Sequence, residues 1–290
     1  KKVYVAVNIF ARNADLSAME EMFVRLQAMR ADAALVSDLG ALALCRRAAP
    51  ALPVHVSTQA NVTNLEAARA FHALGASRVV LARELSFAEI AAIHAACPLL
   101  ELECFVHGAM CISYSGRCYL SDYLDGRPAN RGACVQACRR AYRIRSAGQD
   151  GWCDLEEDGR GTYVMNSRDL NLSAHLAELA AAGVVSFKIE GRMKSEYYLA
   201  TVVNAYRRAM DGEDVDSLAA ELDDVANAFE ELEAQVGSLK IDIYEEKLRR
   251  TRTELEFLQN QIKPHFLVNC FNIIIGMAEW EKFDQIQDFC

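Results

Sequence analysis

Four cysteines in a loop-like stretch are the residues of this chain whose type and spacing could do chemistry. They lie between residues 103 and 145 among glycines and arginines, and they are Cys111, Cys118, Cys134 and Cys138. Thiolates are soft ligands for zinc and for iron-sulfur clusters, so the set predicts a metal centre. The stretch holds no Cys-x-x-Cys pair, which weakens the case for structural zinc, and inert buried thiols are the alternative. The neighbouring Cys104 lies in an apolar run and is predicted to be core.

The same stretch is strongly basic within an acidic chain. Residues 107–145 contain seven arginines and two aspartates, a net charge of 7 − 2 = +5, whereas the whole chain carries −9. Arginine favours planar, bidentate recognition of phosphate or carboxylate. The pattern therefore predicts an anion-binding surface, although a solvated basic face explains it equally well. The candidate anion-binding residues are Arg117, Arg131, Arg139 and Arg140.

Short β-branched runs alternate with amphipathic stretches over the first two thirds of the chain. Strands are predicted near Val3–Ile9, Ala34–Asp38, Val54–Thr58, Arg78–Arg83, Leu100–Val106 and Val185–Ile189, with helices such as Leu16–Met29, Gly40–Ala49, Asn64–Leu74 and Ser86–Cys97. Ser86 and Glu89 form a capping-box pair at one helix start. This alternation predicts an α/β fold, a parallel sheet covered by helices.

Two further motifs carry a family resemblance. Glu103-x-Phe105-x-x-Gly108-Ala109-Met110-Cys111, followed by Gly116-x-Cys118-x-Leu120-Ser121, resembles the diagnostic motif of the collagenase-like peptidase family U-32. Segments at 56–64, 79–86, 165–172 and 187–198 are similar to the same family, in the same order. The resemblance covers about residues 1–215.

The resemblance implies a fold, a cofactor and an activity. Family members have a TIM-like barrel, of which this chain would hold an incomplete copy, because it opens on what resembles the third strand. Some members hydroxylate a tRNA wobble uridine or a ribosomal cytidine, and related proteins carry a 4Fe-4S cluster on four cysteines. By position, the cluster ligands here would be Cys111, Cys118, Cys134 and Cys138, with Cys153 as a possible substitute for the last and zinc as the alternative metal. The leading hypothesis is RNA hydroxylation, with RNA or a small dicarboxylate as the anionic ligand.

Polar residues follow the predicted strands, where barrels place their active sites. They are Asn8, Asp38, Thr58, Gln59, Arg83, Glu84, His107, Lys188, Glu190 and Arg192. Among them His107, Glu84, Asp38 and Glu190 are candidate acid-base residues, and Lys188 and Arg192 are candidate anion ligands. The alternatives are helix capping for Asp38, a structural role for His107 and an ion pair between Lys188 and Glu190.

Proteolysis is the second hypothesis, because the family name implies it. The chain has no Gly-x-Ser-x-Gly, His-Glu-x-x-His or phosphate-loop motif. His107 and Cys111 lie four residues apart and could form a nucleophile and base. A cysteine bound to a metal cannot attack a peptide, so this chemistry ranks behind RNA hydroxylation.

The last third of the chain has a different pattern. Apolar residues recur at heptad spacing over 225–262, which predicts a long α-helical coiled coil and a homodimer. Residues 226–236 are similar to the end of a HAMP linker, and residues 255–272 resemble the phosphoacceptor helix of sensor histidine kinases, with His265 as the phosphorylated residue. A signalling scaffold is the third hypothesis, and the two joined resemblances predict a non-native fusion.

These patterns divide the chain into an incomplete barrel at 1–212 with a cysteine loop at 104–145, a helical linker at 213–262, and a truncated kinase helix at 263–290. The longest apolar run, near Phe266–Ala278, is interrupted by Asn269 and Asn272, so no membrane span is expected. A secretory leader is not expected, and the ten cysteines suit a reducing cytoplasm.

Overall fold

The structure is a computed structural model. It describes residues 1–140, 142–144, 153–154, 169–192 and 194–214, together with residues 217–218, 220, 222, 224–225, 228, 246–247 and 249–252. The chain forms two compact units, residues 1–226 and residues 227–290. Leu218 and Leu222 are each 1% exposed, so the first unit continues beyond residue 212.

Of the seven strands in the sheet of the first unit, six run parallel. They are β1 (Tyr4–Ala6), β2 (Ala33–Val36), β3 (Val54–Val56), β4 (Arg78–Val80), β5 (Glu101–Ala109) and β9 (Val184–Ile189), and they lie side by side in that order. A short pair, β6 (Arg143–Ile144) and β7 (Cys153–Asp154), forms a separate antiparallel ribbon. Residues of β2, β3 and β4 are buried throughout, as expected for parallel strands covered by helices.

Helices connect the strands. They are α1 (Leu16–Ala28), α2 (Leu39–Ala48), α3 (Leu65–Ala73), α4 (Phe87–Ala96), α5 (Leu120–Asp125), α6 (Leu176–Ala181) and α7 (Glu196–Met210). Asp38, Asn64, Ser86 and Ser195 cap four of them by accepting a hydrogen bond from a backbone N–H of the first turn. Each such cap stabilises its helix by about 1 kcal/mol.

The strand β5 organises the end of the sheet. It pairs with β9 in parallel, and its last three residues pair antiparallel with β8 (Asp169–Asn171). The β5–β9 register shifts between Phe105 and His107, which is an irregularity of the kind that redirects a strand end. Gly108 follows with a φ of +102°, a conformation that favours glycine. The chain leaves β5 at this point and enters the cysteine segment, which we define as residues 110–140.

A buried ion cluster fixes β4, β5 and β9 against one another. The Glu103 carboxylate lies 3.0 Å from Arg78 and 3.1 Å from Lys188, and it accepts a hydrogen bond from Ser186 at 2.9 Å. Burial raises the pKa of Glu103, but the effect of Lys188 and the hydrogen-bond partners is larger, so the pKa is lowered. Lys188 was also expected as a partner of Glu190, and that alternative is wrong, because its ion pair is with Glu103.

The sheet and its helices confirm the predicted α/β fold and are consistent with an incomplete TIM-like barrel. The six predicted strands and four predicted helices are present, with ends that differ by a few residues. The short strand β8 was not predicted. Among the described residues no helix is long and apolar enough to cross a membrane. The coiled coil and dimer at 225–262 stay predictions, since the described residues there are few and helical.

Candidate functional site

One cavity of about 400 Å³ opens beyond the carboxyl ends of the strands. Its wall combines the cysteine segment with the segments that follow β1, β3, β4 and β9. The polar and sulfur-bearing residues that matter below are Asn8, Thr58, Gln59, Arg83, Cys111, Cys118, Cys134, Cys138, Lys188, Glu190 and Arg192. The sequence predicted both the cysteines and the polar strand-end residues of this wall, and the fold brings the two sets together.

The four candidate ligands are half-buried free thiols. Two of the sulfurs accept backbone hydrogen bonds, Cys118 from Leu120 N and Cys134 from Gln136 N, each at 3.4 Å. Burial raises the pKa of Cys138, and the negative charge of the other three cysteines raises it further. All four cysteines line the cavity.

Their spacing bears on which metal would fit. Four sulfurs around one tetrahedral zinc lie about 3.8 Å apart, given a zinc–sulfur distance of about 2.3 Å. Among the described residues no three His, Cys, Asp or Glu side chains are arranged to hold a single metal ion.

Arg83 is one of the cations of this wall. Its guanidinium carbon lies 4.0 Å from the Phe105 ring centroid, and its Nε is buried without a hydrogen-bond partner among the described residues. Desolvation lowers the pKa of Arg83, while the nearby acidic groups of Glu190 and Cys111 oppose that shift. A buried cation of this kind favours a ligand that supplies an acceptor.

Lys188, Glu190 and Arg192 form another part of the wall. Lys188 is neutralised by Glu103, and the Glu190 carboxylate accepts a hydrogen bond from Arg192 N at 3.0 Å. Glu190 N also donates to His107 O at 2.9 Å, which ties the end of β9 to the end of β5. Glu190 lines the cavity, which is where an acid-base residue would act.

The arginines of the cysteine segment have mostly intramolecular partners. Arg131 pairs with Asp15 at 2.8 Å, Arg140 pairs with Asp125 at 3.0 Å, and Arg139 forms a short ion pair with Asp169. The Arg131 hydrogen bond and charge hold the pKa of Asp15 well below its usual range. Arg117 lies 5.0 Å from the ring centroid of Phe10 and remains exposed. Three of the predicted anion ligands therefore stabilise the fold of the segment.

Three predicted acid-base residues lie away from the cavity wall. Asp38 caps α2, accepting from Ala41 N at 2.8 Å, and Glu84 is exposed. His107 is 2% exposed, and its Nε2 lies 2.9 Å from the Tyr198 hydroxyl. The capping and structural alternatives therefore describe Asp38 and His107 better than catalysis does, because neither side chain reaches the space that a substrate would occupy.

His107 is held by a second tyrosine on the same helix, α7. The Tyr206 hydroxyl lies 3.3 Å from His107 Nδ1 and donates to Val106 O at 2.7 Å. A base for Cys111 would need a free ring nitrogen directed at the sulfur. Both nitrogens instead have tyrosine partners. His265, the candidate phosphoacceptor, lies outside the described residues.

Exposed tyrosines in the cysteine segment were not anticipated. Tyr114, Tyr119 and Tyr123 are 48%, 76% and 86% exposed. Arg117 and Arg127 lie in the same stretch of the chain and are also exposed. The signal was present in the sequence as aromatic residues interleaved with arginines, a pattern that nucleic-acid-binding surfaces use.

Two family models match different parts of the chain. The model described as "Peptidase family U32" matches residues 1–239, and the model described as "Histidine kinase" matches residues 253–290. A solved structure, that of the U32 peptidase Mk0906, is 21% identical and covers 37% of this chain and 46% of its own, with a TM-score of 0.33.

Curated relatives carry several names. The tRNA hydroxylation protein P of Helicobacter pylori is 44% identical over 215 residues, covering 73% of this chain and 51% of its own length. The 23S rRNA 5-hydroxycytidine C2501 synthase of Escherichia coli is 36% identical (72% and 31% covered), and the collagenase of Porphyromonas gingivalis is 35% identical (72% and 51% covered). The chain spans about half the length of most of these relatives. With a family model matching more than half of its residues, the chain belongs to peptidase family U32.

Proposed function

We propose that this chain acts in the hydroxylation of a pyrimidine base in RNA and binds a 4Fe-4S cluster on Cys111, Cys118, Cys134 and Cys138. The observation that carries the proposal is the single cavity that four free thiols share with polar and basic residues at the strand ends. Relatives named for tRNA hydroxylation and for 5-hydroxycytidine synthesis in 23S rRNA support the same chemistry.

Four free thiols that line one cavity of about 400 Å³ are a donor set that can hold a 4Fe-4S cluster, with zinc as the alternative metal. The backbone N–H groups of Leu120 and Gln136 would donate to ligand sulfurs, which stabilises thiolates. When bound, the cluster would supply one-electron transfer next to the substrate.

RNA fits the exposed surface of the cysteine segment. Unpaired bases stack on tyrosines, and arginines contact phosphates, so Tyr119 and Tyr123 beside Arg117 and Arg127 offer both kinds of contact. Cys118 and Leu120, which line the cavity, flank Tyr119 in the chain. An RNA loop held on this surface would therefore lie next to the cavity that takes the base.

The reaction requires a second substrate. Hydroxylation replaces a carbon–hydrogen bond of the base with a carbon–hydroxyl bond and removes two electrons. A small dicarboxylate that carries the oxygen could deliver it and accept those electrons. Arg83 and Arg192 are the cavity cations for which the described residues show no ion pair, and they would bind its carboxylates.

Proteolysis fits the geometry less well. His107 is buried against Tyr198 and Tyr206 instead of facing Cys111, so the cysteine–histidine pair expected of a peptidase is not formed. The names of the family and of the Porphyromonas relative remain as support for proteolysis. The signalling hypothesis depends on His265 and stays a prediction.

The test is nucleoside analysis of tRNA and ribosomal RNA from a strain that lacks the gene. Loss of one hydroxylated pyrimidine is expected, with recovery by the wild-type gene and none by a Cys134→Ala, Cys138→Ala double variant. A Cys45→Ala, Cys97→Ala double variant, which changes two buried thiols outside the cavity, is the matched control and should restore the nucleoside. An unchanged nucleoside profile in the deletion strain would end the RNA proposal.

A further inference from the structure

The two ends of the cysteine segment meet at one residue, Asp169. Asp169 begins β8, and the backbone register places it opposite Ala109, the last residue of β5. Cys111 follows two positions after Ala109. At the other end of the segment, Arg139 directly follows Cys138, and its guanidinium forms an ion pair with the Asp169 carboxylate. Asp169 therefore contacts the chain just before the first candidate ligand and just after the fourth.

A short turn couples Arg139 to the fourth cysteine. Cys138 is the middle residue of a 3-10 turn over Ala137–Arg139, in which Arg139 N donates to Gln136 O at 2.9 Å. Cys138 and Arg139 both line the cavity. Because the two residues belong to the same hydrogen-bonded turn, the ion pair that holds the guanidinium also restricts where the thiol can lie.

The Asp169 carboxylate is itself fixed from the side of α7. The Tyr198 hydroxyl lies 3.3 Å from Asp169 Oδ2, and Lys194 Nζ lies 3.8 Å from the same oxygen. The Lys194 side chain is 3% exposed, so solvent screens this pair weakly. Tyr198 in turn contacts His107 on β5, at 2.9 Å from its Nε2. One oxygen of Asp169 is thus held by α7 while the other binds Arg139.

We infer that Asp169 is a positioning residue for the 4Fe-4S cluster, which holds Cys111 and Cys138 at the cavity wall by joining the two ends of the cysteine segment. This inference rests on the proposed function, because it assigns Asp169 a role in binding the cluster. A residue that orients ligands through their neighbours acts on a metal site without touching the metal. Joining the two ends within the folded chain also reduces the loop entropy that binding the cluster must overcome.

A purely structural role for Asp169 gives a different expectation. If the ion pair with Arg139 only stabilises the fold, iron retention should follow the overall stability of each variant. If Asp169 positions the ligands, variants without the pair should lose iron faster than other variants that are equally destabilised. The experiment therefore compares changes at this ion pair with changes elsewhere that also lower stability.

The test measures how fast the full chain, reconstituted anaerobically with iron and sulfide, loses iron to an excess of bathophenanthroline disulfonate. Arg139→Gln breaks the ion pair but leaves Asp169 with Lys194 and Tyr198, and Asp169→Asn breaks the pair from the other side. Each variant should lose iron about tenfold faster than the wild type, as expected for residues that support metal ligands. The double variant should also lose iron about tenfold faster, and not about a hundredfold faster, because both changes remove one shared contact.

Two controls separate positioning from stability. Arg140→Gln removes the neighbouring ion pair with Asp125, which lies within the segment and does not join it to the sheet. Val80→Ala removes an apolar side chain that is 1% exposed in the core of the sheet, so it should lower the melting temperature. Both controls should lose iron at the wild-type rate.

The outcomes distinguish this inference from the proposed function. The inference is overturned if Arg139→Gln and Asp169→Asn lose iron at the wild-type rate, or if Val80→Ala loses it as fast as they do. In either case a wild-type chain that holds iron leaves the proposed cluster standing. A wild-type chain that takes up no iron would reject both. If Asp169→Asn does not fold, the rate for Arg139→Gln decides.

Discussion

Arg139, the residue that follows the fourth cysteine, forms an ion pair with Asp169 at the start of β8, and the two side chains are 15% and 8% exposed. Asp169 also lies 3.3 Å from the Tyr198 hydroxyl of α7. Tyr198 in turn contacts His107 on β5. The cysteine segment is thus joined to the sheet and to α7 through one buried carboxylate.

Removing that carboxylate should destabilise the chain. Asp169→Asn leaves both Arg139 and the buried Lys194 without their carboxylate partner, a change that costs about 3–5 kcal/mol. Arg140→Gln is the matched control, because the ion pair of Arg140 with Asp125 has side chains that are 48% and 28% exposed and should contribute less than about 1 kcal/mol. Urea unfolding of the two variants measures the difference. Equal losses would mean that the Arg139 pair does not anchor the segment.

Gly108 should tolerate no side chain. Its φ is +102°, and a Cβ there would lie 2.5 Å from Glu190 O, so alanine must displace the end of β9. The free energy of unfolding should fall by about 3 kcal/mol or more, and Glu190 should be displaced from the cavity wall. Gly126→Ala has a positive φ of +63° but open space around it and should cost about 1 kcal/mol. Thermal unfolding compares the two, and similar melting temperatures would contradict the close approach of β5 and β9.

His55 should make stability depend on pH. Burial, and then the charge of Arg78, lower the pKa of His55 from 6.5 to about 4. Between these two pKa values the unfolded chain therefore binds more protons than the folded chain. The contribution of His55 to the free energy of unfolding is complete above about pH 6.5 and is lost as the pH falls toward 4. Its full size is about 3 kcal/mol. His55→Phe should flatten the stability curve over that range, whereas an unchanged slope in urea unfolding at several pH values would show that His55 is not the titrating group.

The exposed tyrosines should contribute to RNA affinity. Stacking of a base on an aromatic side chain contributes about 1–3 kcal/mol, so a Tyr119→Ala, Tyr123→Ala double variant should bind single-stranded RNA at least about tenfold more weakly. Tyr197, which is 73% exposed on α7, offers a control whose replacement by alanine should leave the affinity unchanged. Fluorescence anisotropy with a labelled stem-loop RNA measures the dissociation constants. If the double variant binds RNA as tightly as the wild type does, the RNA binds at a different surface.

The sequence predicted the sheet because parallel strands and their helices leave strong local patterns. Asp38, Asn64 and Ser86 each precede an amphipathic run, and all three cap helices in the structure. The strand β8 has no such pattern. It is three residues long, two of them polar, and it forms because β5 continues far enough to pair with it.

The sequence predicted which residues line the cavity, but it did not predict which residues they contact. Seven of the ten strand-end residues line the cavity, because parallel strands bring their carboxyl ends to one edge. The intramolecular partners of Arg131 and Arg139 depend on residues 116 and 30 positions away in the chain, which spacing cannot reveal. The tyrosines that hold His107 lie 91 and 99 residues from it for the same reason.

The central claim is that the four cysteines hold a 4Fe-4S cluster, and iron and sulfide analysis of anaerobically purified chain tests it most directly. We predict a brown protein with about four irons and four sulfides per chain. A Cys134→Ala, Cys138→Ala variant should lose them, while Cys104→Ala, which changes a core thiol 7% exposed, should retain them. A colourless protein without iron, or iron that survives the double substitution, would contradict the account.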